Sequence, residues 1–426
     1  MTDRIPSMVA ATEAGEIIDH QRLKMAVWDG VAIRLPEPEE LIPLPDGSDL
    51  FTMPDRIPVG FSGKRNHLVE YEGEEAVGQV QAVSAFLAPA YLRLAHPAYQ
   101  MLEQARILPL FAYAPLGWMD GRFWTAGVRI DPEQRQDPGL FNLKQIRRKV
   151  EAEMSAGRDN TLLRQLRRCA LEYQCRAAQN YFLGRWEAPL PTATHCNASC
   201  VGCISHQDGD IPATQERLKR PPEAKDVVEV VNTHFDRVSR PVASFGQGCE
   251  GEPLTRASLL LEIVKGVRSK RGDGTMNLNS NASLPDAVDE LFAAGLNSIR
   301  VSANSLRSDE YASYHRPKGY SFNDVIESIR RAKSRDGFVS LNLLVFPGFT
   351  DREDEISALE EVIASEGVDM IQWRNLNIDP QFYLDTVGYT ESSQGGPSVG
   401  MLKMINRIKE RFPDLRHGYF NPALAD

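Results

Sequence analysis

The sequence predicts an α/β protein in which a mixed, strand-rich N-terminal region precedes a parallel sheet, either open or curled into a partial barrel. The main observation is that after Trp186 six apolar runs alternate with helical stretches, which is typical of a parallel sheet. A second observation is the length of 426 residues, which exceeds one ordinary core. We therefore expect two domains, or one barrel with large extensions.

Four segments are expected along the chain. They are a mixed strand-rich domain over 1–140, a basic helical connector over 141–185, the alternating region over 186–380 and a helical extension over 381–426. The predicted strands of the alternating region lie at 187–194, 240–246, 274–280, 297–303, 338–346 and 368–373, and its helices near 222–237, 254–269, 284–294, 321–335 and 351–365.

Two local patterns indicate strands in the first segment. Residues 27–33 alternate between apolar and polar side chains, which predicts a half-buried strand. Asp120-Gly121 lies between two runs rich in aromatic and β-branched residues, which predicts a hairpin. The connector contains ten Lys or Arg and four acidic residues, which gives a local net charge of +6. Solvated helix faces explain this charge more readily than a binding patch does.

Composition limits the class of protein. Hydrophobic residues make up 42% and charged residues 25%, as in ordinary folded chains. The net charge of −10 disfavours nucleic acid as a partner. The N-terminus lacks a secretion signal and no stretch approaches the roughly 20 apolar residues that cross a bilayer, so we expect a cytoplasmic protein without a membrane segment.

Cys196, Cys200 and Cys203 form a C-x3-C-x2-C group directly after the first strand of the alternating region. The carboxyl ends of parallel strands are where such folds build their sites. Three thiolates can ligate three irons of a four-iron cluster and leave one iron for a small chelating molecule. The alternative is a structural zinc site with His206 or His195 as fourth ligand.

This cysteine group resembles that of the radical SAM superfamily, and the resemblance covers about residues 186–375. It implies a partial (β/α)6 TIM-like barrel, a [4Fe-4S] cluster and S-adenosyl-L-methionine (SAM). By the same resemblance, the reduced cluster splits SAM into methionine and a 5′-deoxyadenosyl radical, and this radical removes a hydrogen atom from the substrate. The resemblance thus implies an oxidoreductase or a transferase. The family usually has an aromatic residue before the last cysteine, whereas this chain has Gly202.

Gly251-Glu252-Pro253 follows the second strand and resembles the family's Gly-Gly-Glu-Pro element, with Glu250 in place of the first glycine. The resemblance implies that Glu252 accepts hydrogen bonds from the methionyl ammonium. Gly246-x-Gly248-x-x-Gly251, which overlaps this element, also matches a dinucleotide fingerprint. We disfavour that interpretation because the next strand ends in amides and a serine rather than a carboxylate. The roles of Glu250 and Cys249 stay open.

Later strand ends supply further candidates for the cofactor site. The resemblance implies small polar contacts to SAM from Ser280, Asn281, Ser302 and Asn304, and pairing of Arg316 with the SAM carboxylate. Each of these could equally be part of an ordinary turn or cap. Polar side chains at the end of the sixth strand are candidates to hold a polar or anionic substrate, or they merely pack and face solvent: Gln372, Arg374, Asn375 and Asn377.

No cysteine follows Cys249, which predicts a single cluster. Electrons are expected from a flavodoxin- or ferredoxin-like donor, and the substrate is expected to be a small molecule or a peptide. Two alternatives remain open: a zinc-stabilised α/β binding protein, and a radical SAM enzyme that modifies RNA gripped by the basic segment 143–185.

Overall fold

The structure, a computed structural model, describes residues 4–63, 67–74, 78–156, 159–207, 211–388 and 398–424. Arg158 of the predicted connector and residues 389–397 of the predicted C-terminal extension lie outside these ranges. The chain forms two compact units. Unit 1 comprises Met1–Pro132, Leu344–Glu360 and Trp373–Pro413; unit 2 comprises Glu133–Leu343, Glu361–Gln372 and Asp414–Asp426.

Unit 1 is built on an eleven-stranded antiparallel sheet with a second sheet of three short strands. Small and β-branched residues such as Ala11, Val83 and Ala85 fill its core because they fit closely on a pleated surface. The strands are β1 (Ser7–Thr12), β2 (Ile17–Met25), β3 (Val27–Trp28), β4 (Ile33–Arg34), β5 (Leu41–Pro43), β6 (Asp49–Met53), β7 (Arg56–Ser62), β8 (His67–Glu70), β9 (Val80–Phe86), β10 (Tyr91–Arg93), β11 (His96–Pro97), β12 (Tyr99–Met101), β13 (Gly117–Met119) and β14 (Arg122–Arg129).

The two local patterns of the first segment have different outcomes. β13 and β14 form the predicted hairpin, and Asp120 and Gly121 both adopt the left-handed backbone that its tight turn requires. The single strand predicted over 27–33 is wrong, because β3 and β4 pair as a short hairpin. Asp29 Oδ1 accepts hydrogen bonds from the backbone N–H groups of Val31 and Ala32 and stabilises the turn.

Unit 2 contains a curled parallel sheet in which seven strands follow one another in chain order. The six strands predicted from the apolar runs are confirmed. Their bounds are β15 (Glu187–Pro189), β16 (Val242–Phe245), β17 (Thr275–Ser280), β18 (Ser298–Ala303), β19 (Phe338–Val345) and β20 (Met370–Asn375), and the additional strand is β21 (Arg416–Gly418). β21 has no apolar run, so its sequence gave no strand signal.

Helices connect the parallel strands and precede them. The five helices predicted between 222 and 365 are confirmed, and α7, which lies among them, has no counterpart in the prediction. The helices are α1 (Leu143–Ser155), α2 (Thr161–Leu171), α3 (Arg176–Leu183), α4 (Ala224–Arg237), α5 (Ala257–Arg268), α6 (Pro285–Ala293), α7 (Ser308–His315), α8 (Phe322–Ser334), α9 (Glu353–Glu366), α10 (Pro380–Thr386) and α11 (Met401–Arg411). In the described ranges, every helix is too short or too polar to cross a bilayer.

A buried polar network joins several strands of unit 2. Asn277 accepts from the Ser298 hydroxyl at 2.8 Å and donates to Asn279 Oδ1 at 2.8 Å. Asn421, beyond β21, donates to Asn279 Oδ1 at 3.2 Å and accepts from Gln372 Nε2 at 3.1 Å. Because buried polar groups must find partners, this network fixes the C-terminal segment against the sheet.

Candidate metal and cofactor site

The three cysteines of the C-x3-C-x2-C group are half-buried, unbridged thiols in the loop after β15. Cys200 Sγ lies 3.3 Å from His315 Nδ1, whereas Cys203 Sγ lies 3.5 Å from Ser205 Oγ and 3.8 Å from Arg217 Nη2. Burial raises the pKa of the Cys196 and Cys200 thiols, and the neighbouring thiolates add to the effect at Cys200. The Cys196 and Cys200 thiols therefore favour their neutral forms until a cation replaces the proton.

The zinc alternative names His195 or His206 as the fourth ligand. His195 and His206 are both exposed, and the His195 ring nitrogen Nδ1 lies 2.7 Å from Thr194 Oγ1. Across the part of the chain that the structure describes, no three His, Cys, Asp or Glu side chains are grouped so as to hold one metal ion.

The cysteine loop is held by backbone hydrogen bonds to the segment that ends α7. The Ser199 and Val201 N–H groups donate to the carbonyls of His315 and Tyr314 at 3.1 and 3.0 Å. The Lys318 N–H donates to the Asn197 carbonyl at 2.8 Å. The segment therefore supports the loop from behind and fixes His315 next to Cys200.

The Gly-Glu-Pro element approaches the chain just before Cys196. The Gly251 N–H donates to the Ala193 carbonyl at 2.9 Å, and the Glu252 N–H donates to the His195 carbonyl at 2.8 Å. A Cβ at Gly251 would lie 1.8 Å from the His195 carbonyl oxygen, which no side chain tolerates. Glycine is therefore needed here to let the two loops meet.

Glu252 is a buried carboxylate with three hydrogen-bond donors around it. It accepts from Ser280 Oγ at 2.6 Å, from the Asn281 N–H at 2.8 Å and from the Leu254 N–H at 3.0 Å. Burial raises its pKa to about 7, against the effect of these bonds. Within the described ranges no Lys, Arg or His forms an ion pair with it, so the site is suited to a cation from a ligand.

Asn281 joins the Glu252 group to the cysteine loop. Its Nδ2 donates to Asn197 Oδ1 at 2.8 Å, and Asn197 Nδ2 donates to Ser283 Oγ at 2.8 Å. Asn197 directly follows Cys196 in the chain. Four predicted site residues are thus brought together with the cysteine loop: Gly251, Glu252, Ser280 and Asn281.

Glu250, whose role the sequence left open, accepts hydrogen bonds from four backbone N–H groups. Two belong to Thr192 and Ala193, at 2.6 and 2.8 Å, and two to Gly246 and Gln247, both at 2.8 Å. Burial raises its pKa to about 7, opposed by these bonds. Because both carboxylate oxygens are engaged, Glu250 holds the loops after β15 and β16 together.

The remaining predicted cofactor contacts lie in other surroundings. Ser302 Oγ accepts from Asn342 Nδ2 at 3.0 Å, and buried Asn304 donates to the Glu310 carbonyl at 3.2 Å. Arg316 is exposed and caps α7 in a left-handed conformation, with φ of 47°. These contacts lie outside the Glu252 group.

The four candidate substrate residues fall in two different units. Gln372 belongs to unit 2, where its amide oxygen also accepts from Arg300 Nη1 at 3.1 Å. In unit 1, Asn375 accepts from the Arg93 N–H at 2.9 Å and donates to the Tyr91 carbonyl at 3.0 Å. Both amides are thus engaged inside the protein, while Arg374 and Asn377 are half-buried in unit 1.

Sequence reasoning missed two groups beside the thiols, His315 and Arg217. In the run Tyr314 to Pro317 only the arginine matches a family feature, and Arg217 stands in a segment without a motif. His315 is buried, and burial lowers its pKa to about 3, so its ring is neutral. No local pattern could have identified either residue, since their proximity to the thiols arises from folding.

The residues present fit an iron–sulfur cluster with SAM. Three free thiols share one loop, and buried Glu252, which forms no ion pair with a described Lys, Arg or His, is tied to that loop by hydrogen bonds. Gly246, with φ of 77°, provides a further close approach, because a Cβ there would lie 1.7 Å from the Asn279 carbonyl oxygen. The two glycines let the strand ends converge on one small region.

Comparison with known proteins agrees with this site. Residues 190–359 match the family model described as radical SAM superfamily. The chain is 25% identical over 179 residues to the FeMo cofactor biosynthesis protein NifB of Klebsiella pneumoniae, covering 38% of this chain and 37% of that protein. It is 25% identical over 210 residues to GTP 3′,8-cyclase 1 of Mycobacterium tuberculosis, covering 47% of this chain and 52% of that protein. The chain thus spans about a third to a half of the length of these relatives.

Among solved structures, a radical SAM methyltransferase from Sphaerobacter thermophilus matches 54% of this chain and 64% of its own length, with 16% identity and a TM-score of 0.38.

Proposed function

We propose that the chain is an enzyme of the radical SAM superfamily, which uses a [4Fe-4S] cluster and SAM, and that Cys196, Cys200 and Cys203 ligate that cluster. The observation that carries the proposal is the link between the cysteine loop and Glu252. Backbone and side-chain hydrogen bonds through His195, Asn197 and Asn281 join the two. Thiols for iron and a carboxylate for an ammonium group are thus held in one framework.

When bound, the cluster and SAM supply one-electron reductive cleavage of SAM, which begins hydrogen abstraction from substrate. The chain's own residues bind and orient. Glu252 would accept a charge-assisted hydrogen bond from the SAM ammonium group. Ser280 and Asn281 donate hydrogen bonds to the Glu252 carboxylate and hold it in place. Glu250 holds the loops after β15 and β16 together, so the cysteine thiols and the Glu252 carboxylate stay at a fixed separation.

We propose a single cluster because the other three cysteines lie elsewhere in the fold. Cys169 and Cys249 are buried with their Sγ atoms 3.9 Å apart, and Cys175 begins α3. Burial raises the pKa of the Cys175 thiol to about 11, which favours an inert, neutral group. Cys169 and Cys249 thus pack inside the protein, and Cys175 is half-buried.

We assign the chemistry to residues 186–380, flanked by the N-terminal domain 1–140, the connector 141–185 and the extension 381–426. A flavodoxin- or ferredoxin-like protein of a reducing cytoplasm would donate the electron. The substrate would be a small molecule or a peptide. RNA is not favoured, because connector arginines such as Arg168 form ion pairs, here with Glu172 and Glu216.

Glu252→Gln tests the carboxylate's role in SAM binding. A hydrogen bond to a charged group contributes about 1.5–3 kcal/mol, so removing the charge should weaken SAM binding roughly 10- to 150-fold. SAM affinity is measured on the anaerobically reconstituted protein, and 5′-deoxyadenosine release is measured after adding dithionite. Glu262→Gln, at an exposed glutamate of α5, is the matched control.

The expected result is that the control variant binds and cleaves SAM as the parent does, while Glu252→Gln binds it weakly but keeps its iron. Equal SAM affinity for the parent and Glu252→Gln would contradict the assigned role.

A further inference from the structure

We propose that His315 donates an N–H···S hydrogen bond to Cys200 and thereby raises the reduction potential of the cluster. The inference rests on the proposed function, because it requires Cys200 to be a cluster ligand. It adds a positioning and tuning residue that does not itself bind iron or SAM.

The geometry of the contact carries the proposal. His315 Nδ1 lies 3.3 Å from Cys200 Sγ, which is hydrogen-bond distance for a sulfur acceptor. The ring is buried, with 2% of its surface exposed, so water does not compete for the bond. The backbone bonds from Ser199 and Val201 to the end of α7 fix the sulfur and the ring relative to each other.

The direction of the hydrogen bond follows from the chemistry of ligation. A thiolate bound to iron has no proton and can only accept, so Nδ1 must carry the hydrogen. The other ring nitrogen, Nε2, is buried and has no hydrogen-bond partner among the described residues. A hydrogen on Nε2 would leave a buried donor unsatisfied, which again favours the tautomer with the hydrogen on Nδ1.

Aromatic neighbours hold the ring in this orientation. Tyr311 stacks on His315 with a centroid distance of 4.2 Å and an interplanar angle of 22°. Tyr314 meets it edge-on, at 5.0 Å and 86°. A ring packed in this way cannot turn Nδ1 away from the sulfur without disturbing the packing.

A hydrogen bond to a ligating sulfur stabilises the more negative, reduced cluster and so raises its potential. At Cys203, Arg217 Nη2 lies farther from the sulfur, at 3.8 Å, and Arg217 is half-buried. Solvent screens that charge. His315 is therefore the donor whose removal should change the potential most.

Two substitutions separate the hydrogen bond from the ring. His315→Phe keeps an aromatic ring but has no donor, and we expect the ratio of reduced to oxidised cluster at a fixed applied potential to fall about tenfold, which is ~59 mV for a one-electron couple. His315→Asn places an amide N–H near the position of Nδ1, and we expect it to restore the ratio to within about twofold. His67→Phe changes an exposed histidine of β8 in unit 1 and should leave the ratio unchanged.

The measurement is a redox titration of the reconstituted protein without SAM, followed by electron paramagnetic resonance, together with iron and sulfide analysis. A parent protein that holds no cluster would overturn the proposed function itself. A parent and a His315→Phe variant that both hold the cluster and share one potential would overturn only the role of His315.

A second readout covers the case in which His315→Phe fails to hold the cluster. In parent protein labelled with ¹⁵N-histidine, the electron spin of the reduced cluster should couple weakly to the His315 nitrogen through the N–H···S bond. The coupling should persist in His67→Phe. Its absence from the labelled parent protein would overturn the proposal.

Discussion

Glu250 holds the loops after β15 and β16 together, and we call this contact the Glu250 clamp. It gives the most quantitative prediction, the effect of Glu250→Gln on stability. The carboxylate accepts from four backbone N–H groups, two on each oxygen. Glutamine replaces one oxygen with an NH₂ group, so two buried N–H donors then face another donor. Each unsatisfied buried donor costs about 1–3 kcal/mol, which gives a loss of roughly 2–6 kcal/mol in the free energy of unfolding.

The assay is thermal and urea unfolding followed by circular dichroism, with Glu262→Gln as the exposed control. A change of 1 kcal/mol shifts the melting temperature of a unit of 150–250 residues by about 2–4 °C, so the expected decrease is roughly 5–20 °C. The control should lie within about 0.5 kcal/mol of the parent. A Glu250→Gln variant as stable as the control would refute the clamp.

The same side chain gives a pH dependence with a defined sign. Burial raises the folded-state pKa of Glu250 from 4.5 to about 7, so the folded chain binds more protons than the unfolded chain between these values. The contribution of Glu250 to the free energy of unfolding is therefore fully present below about pH 4.5 and falls as pH rises towards 7. Glu250→Gln should remove that component of the slope.

Three further predictions concern other contacts. Gly251→Ala should disrupt the cysteine loop, since its Cβ would meet the His195 carbonyl at 1.8 Å, and iron content after reconstitution should fall; normal iron content would contradict the close approach. SAM affinity should weaken up to tenfold per pH unit below 7, because burial raises the pKa of Glu252 to about 7 and the SAM ammonium needs the ionised carboxylate. The SAM affinity of Glu252→Gln should not change with pH over this range. A parent protein whose SAM affinity is equally independent of pH would count against the role of Glu252 in SAM binding. In unit 1, Arg56→Met leaves Asp379 buried without its 2.7 Å partner and should cost about 3–5 kcal/mol in unfolding experiments, so an unchanged midpoint would argue against this ion pair.

The regular part of the fold follows from local signals in the sequence. The six apolar runs and their intervening helices are predictable because parallel strands buried on both faces require continuous apolar residues. β21 has only three residues, Arg416 to Gly418, and its place in the sheet depends on pairing with β20. The turn at Asp29-Gly30 was missed because alternation over 27–33 masked a hairpin signal.

Some residues of the candidate site are likewise predictable from the local sequence, whereas others are not. Cys196, Cys200 and Cys203 are adjacent in sequence and Glu252 belongs to a short motif, so both are readable from local pattern. Glu250 and His315 act on residues 58 and 115 positions away, and such partners exist only in the folded chain. The chemistry of a side chain is local, whereas its partners are set by topology.

The central claim is that Cys196, Cys200 and Cys203 hold a four-iron cluster, and metal analysis tests it most directly. Anaerobically reconstituted protein should be brown and contain about four irons and four sulfides per chain. Replacing these three cysteines with Ala should abolish both, whereas replacing Cys169 and Cys249 with Ala should leave them unchanged. A colourless parent protein with one tightly bound zinc per chain would contradict the claim.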